Sequence, residues 1–186
     1  EEMLSICNRV EINGEILPLT DELRANMTAI STKLNMQGMR VLIVAYKENV
    51  HDEAVYSVKD EQDMIISGFM GFLDPPKQSS ITAIKSLHEH GVNVKVLTGD
   101  NEIVAQKICK DVGIEVNRAI LGTELDQMSD QDLSDVVEEV NLFAKLNPAQ
   151  KSRILSSLQE KGHTVGFMGD GSNDAPAAVA HLDVVA

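Results

Sequence analysis

Cysteine is scarce in this sequence. Its two cysteines, Cys7 and Cys109, stand alone, with no CxxC pair and no adjacent histidine cluster. That excludes a disulfide scaffold, and so low a count fits a reducing compartment. Basic residues are also in short supply, with 16 Lys and Arg against 29 Asp and Glu, a net charge of −13. A balance this acidic argues against a nucleic-acid groove, which needs dense Lys and Arg. It argues equally against attraction to anionic lipid, while leaving room for a small local basic site. Long apolar runs are missing too, so no stretch of these residues would span a bilayer as a helix. What is present is a 43% apolar chain of 186 residues. That is enough for one ordinary domain or two small ones, and it excludes wholesale disorder. The chain opens on Glu1 rather than Met and closes inside the apolar run Val184-Val185-Ala186. Both ends carry the expectation of a piece of a larger protein.

The first stretch, to about residue 67, reads as mixed α/β. Asn13-Gly14 between Val10 and Leu19 is a hairpin signal. Thr20 followed by Asp21 and Glu22 can open a helix, and Leu23, Met27, Ile30 and Leu34 then recur at helical spacing. Gly38 closes it, and Arg40 to Tyr46 is a short apolar strand. The acidic segment from Glu48 to Asp63 reads as a solvated connection.

From residue 64 the pattern is regular. Met64 to Phe72 reads as a buried strand, broken by Asp74-Pro75-Pro76. Strands are then expected at Val92–Leu97, Ala119–Leu121, Leu142–Ala144 and Val165–Met168. Helices are expected from Ser79 or Ser80 to before Gly91, from Asn101 to Val112, after Ser129, from Pro148 to Glu160, and from Asn173 onward. Strands alternating with helices of this length predict βαβ units in a parallel sheet covered on both faces.

In such a sheet, ligands bind beyond the carboxyl ends of the strands. Three strand ends carry polar residues: Asp74; Thr98, Gly99 and Asp100; and Asp170, Asn173 and Asp174. A fourth loop supplies Lys145 and Lys151. Carboxylates gathered at strand ends are costly if buried unpaired. A hard cation would neutralise them, and Mg²⁺ takes oxygen ligands with phosphate completing its shell. Thr98, backbone N–H groups and a lysine could hold phosphoryl oxygens. The combination points to Mg²⁺-dependent phosphoryl transfer. No GxxxxGK[ST] loop, GxGxxG loop, HExxH or GxSxG is present to favour another chemistry.

These residues resemble a known family. Gly169-Asp170-Gly171-Ser172-Asn173-Asp174-Ala175-Pro176 looks like the GDGxNDxP motif of P-type cation-transporting ATPases. Thr98-Gly99-Asp100 resembles their TGD motif, and Asp74-Pro75-Pro76-Lys77 their DPPR/K motif. Phe143-Ala144-Lys145, with Pro148 and Lys151, is similar to their FARxxPxxK segment, and Gly38-Met39-Arg40-Val41 to their G-x-R-V segment. Order and spacing match over essentially the whole chain, and the wording around Asp74 and Asp170 is most like the bacterial magnesium-transporting branch.

The resemblance implies a haloacid-dehalogenase-like α/β fold of Rossmann type. Residues 1–62 would be the C-terminal part of an α+β nucleotide-binding domain, and residues 63–186 the later part of the phosphorylation domain. It implies ATP and Mg²⁺, an aspartyl-phosphate intermediate, a cation transported through a membrane domain absent from these residues, and no nucleic acid. The expected place is the cytoplasmic side of a cell membrane, bacterial inner or plasma membrane. The phosphorylated Asp of the family lies in a DKTGT motif, and no DKTGT occurs in this sequence. The upstream part of the same polypeptide would therefore supply it, and this chain alone is expected to be inactive. That segment also forms a central strand, so the parallel sheet is expected to be incomplete.

By the same resemblance, Asp170 would bind Mg²⁺, with Asn173 and Asp174 orienting the phosphate and metal site. Thr98 would donate to the phosphoryl group, and Gly99 and Asp100 would shape the site near the nucleotide. Lys151 would neutralise the transferring phosphoryl. Lys145 stands where the family has Arg, keeping the charge and losing the planar fork. Arg40 would approach the ATP phosphates, and Asp74 would shape the hinge and the nucleotide side of the cleft. Asp170, Thr98 with Asp100, Asp174 and Lys151 also have plainer readings, as helix caps, a first-turn acid and a surface lysine. After Pro176 the sequence Ala177 to Ala186 departs from the family pattern. Two other functions remain open: a soluble haloacid-dehalogenase-like phosphatase, and a non-catalytic module binding Mg²⁺ or nucleotide.

Overall fold

The structure, a computed structural model, describes residues 2–48 and 56–169 together with the strand Val184–Val185. Backbone contacts divide it into two compact units, Glu1–Asp74 and Pro75–Ala186.

The first unit opens with a short helix α1 (Glu2–Ile6) that the sequence pattern did not suggest. Strands β1 (Cys7–Ile12) and β2 (Glu15–Pro18) form the expected hairpin. Asn13 and Gly14 both take left-handed backbone angles, φ 53° and 83°, as a tight two-residue turn requires. Helix α2 (Asp21–Met36) starts where expected, the Thr20 hydroxyl oxygen accepting from the Leu23 N–H at 3.3 Å. Gly38, at φ 86°, follows its end and lets the chain reverse into β3 (Met39–Tyr46). Cys7, Val10, Leu19, Met27 and Ile66 make the core.

Strand β4 (Met64–Leu73) corrects one expectation. It belongs to the first unit, where the sheet order is β2-β1-β4-β3, antiparallel to β3 and parallel to β1. The compact unit that holds it runs to Asp74. Nor is β4 buried along its length: Ile65 and Ile66 are buried, while Met70 to Leu73 are exposed. An apolar run declares a strand, but not which sheet receives it.

The second unit contains α3 (Gln78–Glu89), β5 (Val96–Leu97), α4 (Glu102–Val112), β6 (Ala119–Leu121), α5 (Gly122–Leu125), α6 (Asp130–Val136), β7 (Leu142–Ala144), α7 (Pro148–Glu160), β8 (Gly166–Phe167) and β9 (Val184–Val185). Helices α4, α6 and α7 begin on caps that the sequence carries. The Asn101 side-chain oxygen accepts from Ile103 N–H at 2.8 Å, and Ser129 with Asp132 makes a reciprocal box. Gly113, at φ 84°, ends α4. Strand β5 is shorter than Val92–Leu97 had suggested.

Parallel strands β5, β7 and β6 form one sheet in that order, and β8 pairs with β9 separately. This is the expected haloacid-dehalogenase-like α/β arrangement, with its parallel strands in two pieces. Strand β7 is central in its sheet, and Leu142, Phe143 and Ala144 are all buried. Strand β5 is an edge, and its residues are only half-buried. Ile120, Leu125, Leu133, Phe143 and Ile154 anchor one core cluster of this unit. Cys109, Val112 and Leu142 lie in another. Burial pushes the Cys7 and Cys109 thiols up, as suits small apolar fillers rather than nucleophiles.

Candidate functional site

The second unit brings two of the expected loops together at the carboxyl ends of β5 and β7. The strands pair in register, Val96 with Leu142 and Leu97 with Phe143. Beyond that register the pairing continues through loop backbone. Thr98 N–H donates to Phe143 O, Lys145 N–H to Asp100 O, and Leu146 N–H to Thr98 O, each at 3.0 Å. Thr98, Gly99, Asp100 and Lys145 therefore share one strand-end surface.

Within it, the Thr98 hydroxyl oxygen accepts from the Asp100 N–H at 3.0 Å. A hydroxyl that accepts in this way still has its own hydrogen to donate. Gly99 lies against the Leu146 carbonyl, which an added Cβ would approach to 3.4 Å. The Asp100 backbone leads into α4, whose N-terminal N–H groups and dipole favour negative charge nearby.

Lys145 is exposed and takes φ 53°, a region that side chains with a Cβ seldom adopt. Two residues later, Asn147 caps α7. Its side-chain oxygen accepts from Gln150 N–H at 2.9 Å, while Gln150 Oε1 accepts from Asn147 N–H at 2.9 Å. Lys151 follows in the first turn of α7, half-buried.

Gln150 is a residue that the sequence reading missed. Its Nε2 donates to Gly122 O at 2.9 Å and to Asp126 Oδ1 at 2.7 Å, tying the start of α7 to the turn after β6. The readable signal was Asn147 three residues ahead of Gln150, a capping-box spacing.

Asp170, Asn173 and Asp174, and the helix expected from Asn173, lie outside the described residues. Strand β8, with Met168 and Gly169 after it, holds the last described residues before them in the chain. Among the described residues no group of three or more His, Cys, Asp or Glu side chains could hold a metal ion. Mg²⁺ commonly uses one or two carboxylates, with substrate phosphate and water completing its octahedron. Oxygen donors at strand ends suit that sparse kind of site better than a dedicated cage.

In the first unit, Arg40 and Asp74 are both exposed. Arg40 is paired in register with Phe72, and the next outward pairs are Leu42 with Met70 and Val44 with Gly68. Leu42 is 51% exposed, Met70 48% and Phe72 49%. The result is an open apolar sheet face with a guanidinium at its end. Both strands were readable as apolar runs, but their pairing, and the alternating exposure along β3, were not. Among the described residues no helix is long and apolar enough to cross a membrane.

Comparison with known proteins agrees with this geometry. Residues 44–181 match the sequence profile of the haloacid dehalogenase-like hydrolases. Residues 1–79 match that of the P-type ATPase cytoplasmic domain N. The chain is 44% identical over 177 residues to the magnesium-transporting ATPase, P-type 1, of Escherichia coli strain K12, covering 95% of this chain and 20% of that protein. A protein of the same description from Salmonella typhimurium strain LT2 is also 44% identical over 177 residues, with the same coverage. The calcium-transporting ATPase lmo0841 of Listeria monocytogenes is 33% identical over 177 residues, covering 94% of this chain and 20% of that protein. The chain thus spans about one fifth of the length of these curated relatives. With a hydrolase profile over most of its length, strand-end loops joined as described, and P-type ATPase relatives across nearly all of it, the chain belongs to the haloacid dehalogenase-like hydrolase family, in its P-type ATPase branch.

Proposed function

We propose that this chain is part of an ATP-driven cation transporter, with magnesium as the transported ion, whose cycle passes through an aspartyl phosphate. The observation that carries the reading is the backbone stitching of the Thr98–Asp100 loop to Lys145 and Leu146. It sets a hydroxyl donor, backbone donors and a cation at one end of a parallel sheet, where a phosphoryl group is best received. The magnesium assignment rests on the likeness to the Escherichia coli and Salmonella proteins.

In this reading residues up to about the 74/75 division serve nucleotide binding and the rest serve phosphorylation. The apolar face of Leu42, Met70 and Phe72 suits a nucleotide base, and Arg40 suits its phosphates. Asp74 serves the nucleotide side of the site. A carboxylate supplied from outside these residues attacks the γ-phosphorus of ATP. One P–O bond forms as the bond to the departing ADP breaks, and water later cleaves the acyl phosphate. Thr98 donates to the phosphoryl oxygens, and Lys151 offsets their charge as it spreads in the transition state. Gly99 allows close backbone approach, while Asp100 and Lys145 border the nucleotide.

Mg²⁺, when bound, would draw charge from the phosphoryl oxygens. Asp170 would hold it, with Asn173 and Asp174 orienting that loop. The protein would lie at the cytoplasmic face of a bacterial inner or plasma membrane.

The test is labelling of the full-length protein containing this chain with γ-phosphate-labelled ATP and Mg²⁺. The reading expects a protein-bound phosphate that hydroxylamine releases, and its loss in a folded Asp170→Ala variant. Turnover without such a label would sink the aspartyl-phosphate mechanism, and full labelling of Asp170→Ala would sink that residue's role.

A further inference from the structure

The turn after β6 and the start of α7 are joined more closely than the fold alone requires. Leu121 and Ala144 pair as the last residues of β6 and β7, so Gly122 stands beside Lys145. A Cβ on Gly122 would come within 2.5 Å of the Lys145 carbonyl oxygen and 2.7 Å of Gln150 Oε1. Only a glycine admits that approach. The Gln150 side chain closes it from the other side. It is 7% exposed, and both ends of its amide are used. The oxygen accepts from Asn147 N–H, and the nitrogen donates to Gly122 O and Asp126 Oδ1.

We infer that Gln150 and Gly122 form a positioning clasp that sets both Lys145 and Lys151 for phosphoryl transfer. This inference rests on the reading proposed above. Lys145 is held at φ 53° between two contacts: its N–H on Asp100 O, and its carbonyl against Gly122. Lys151 follows Gln150 directly in the first turn of α7. Fixing the Gln150 amide fixes the rotation of that turn about its axis, and with it the direction from which the Lys151 stem departs. An amide is specifically required. Asn147 N–H needs an acceptor and the Gly122 carbonyl a donor, and no carboxylate supplies both.

The test uses the full-length protein and the rate of phosphoenzyme formation at saturating Mg·ATP. Gln150→Glu keeps the acceptor for Asn147 and sets a carboxylate against Gly122 O and Asp126. The rate should fall about a hundredfold, the scale of a misplacement near 1 Å, with the KM for ATP little changed. Adding Asp126→Asn restores a donor across the same gap and should recover at least about tenfold of the loss, whatever the thermal midpoint does. A residue that merely supports the fold predicts instead a rate that tracks the fraction folded.

An unchanged rate in folded Gln150→Glu, or a loss that Asp126→Asn does not relieve, overturns the clasp. Should Gln150→Glu not fold, amide hydrogen exchange in the wild-type protein decides. Lys145 and Asn147 should exchange together as one unit, and independent exchange overturns the inference. If the wild-type protein takes no hydroxylamine-labile label, the aspartyl-phosphate reading fails and the clasp's catalytic role with it. If it takes label and the variants behave as wild type, the clasp alone fails.

Discussion

The backbone N–H of Lys145 donates to the carbonyl oxygen of Asp100 at 3.0 Å. The two residues are far apart in the chain, and each closes a strand-end loop. The bond extends the pairing of β5 with β7 past the last strand residues and delivers a positive side chain to the surface that carries Thr98. In the proposed function, this is the surface that receives the phosphoryl group.

Replacing Lys151 by Met should lower the rate of phosphoenzyme formation by about 10²–10³-fold, the scale of losing one preorganised charge partner in a transition state. Rapid-quench labelling of the full-length protein would measure it. A rate within a few-fold of wild type would remove Lys151 from the site.

Phe143→Ala should destabilise the second unit by about 3–5 kcal/mol, because the ring is fully buried in the central strand and relaxation fills such a cavity only partly. Urea denaturation of the protein gives the value. A loss under 1 kcal/mol on the order-of-magnitude scale of surface changes would show that β7 is not central.

Thr20→Ala should cost the first unit about 1 kcal/mol, the usual value of a lost N-cap, since the hydroxyl accepts from Leu23 N–H. Thr20→Ser should keep most of it. Equal midpoints for the Ala and Ser variants would contradict the cap.

Glu138 gives a pH dependence with a definite sign. Its carboxyl is held below the ordinary value, first by the Lys161 ammonium and then by His163. The oxygens lie 2.8 Å from Lys161 Nζ and 2.5 Å from His163 Nε2. A lowered folded value means that the unfolded chain binds more protons. The stabilisation is therefore present above the ordinary glutamate value and is lost as pH falls through the folded value. Glu138→Gln should flatten the stability profile on the acid side of pH 4.5, the ordinary value for this group. An unchanged acid limb would contradict the assignment. The pair is exposed, so the effect should shrink in salt.

Much of this molecule was legible as sequence. Thr20, Asn101 and Ser129 start helices because each carries its capping atom within one turn, and Gly113 ends one because only local sterics are involved. The βαβ alternation and the strand-end polar residues were readable for the same reason. The strand Met64–Leu73 was readable as a strand, but its place between β1 and β3 was not, because that depends on partner strands far off in sequence. Gln150 was hidden because its importance comes from Gly122, a residue on another strand end. Asp170, the residue on which the metal site most depends in this account, lies outside the described residues.

The most direct test is an experimental structure of the full-length protein with Mg²⁺ and beryllium fluoride, which mimics an acyl phosphate. The account predicts the ion on the Asp170 carboxylate, the Thr98 hydroxyl and Lys151 Nζ against the fluorides, and Lys145 still bonded through its N–H to Asp100 O. Fluoride bound elsewhere, or held without Thr98 and Lys151, would contradict it.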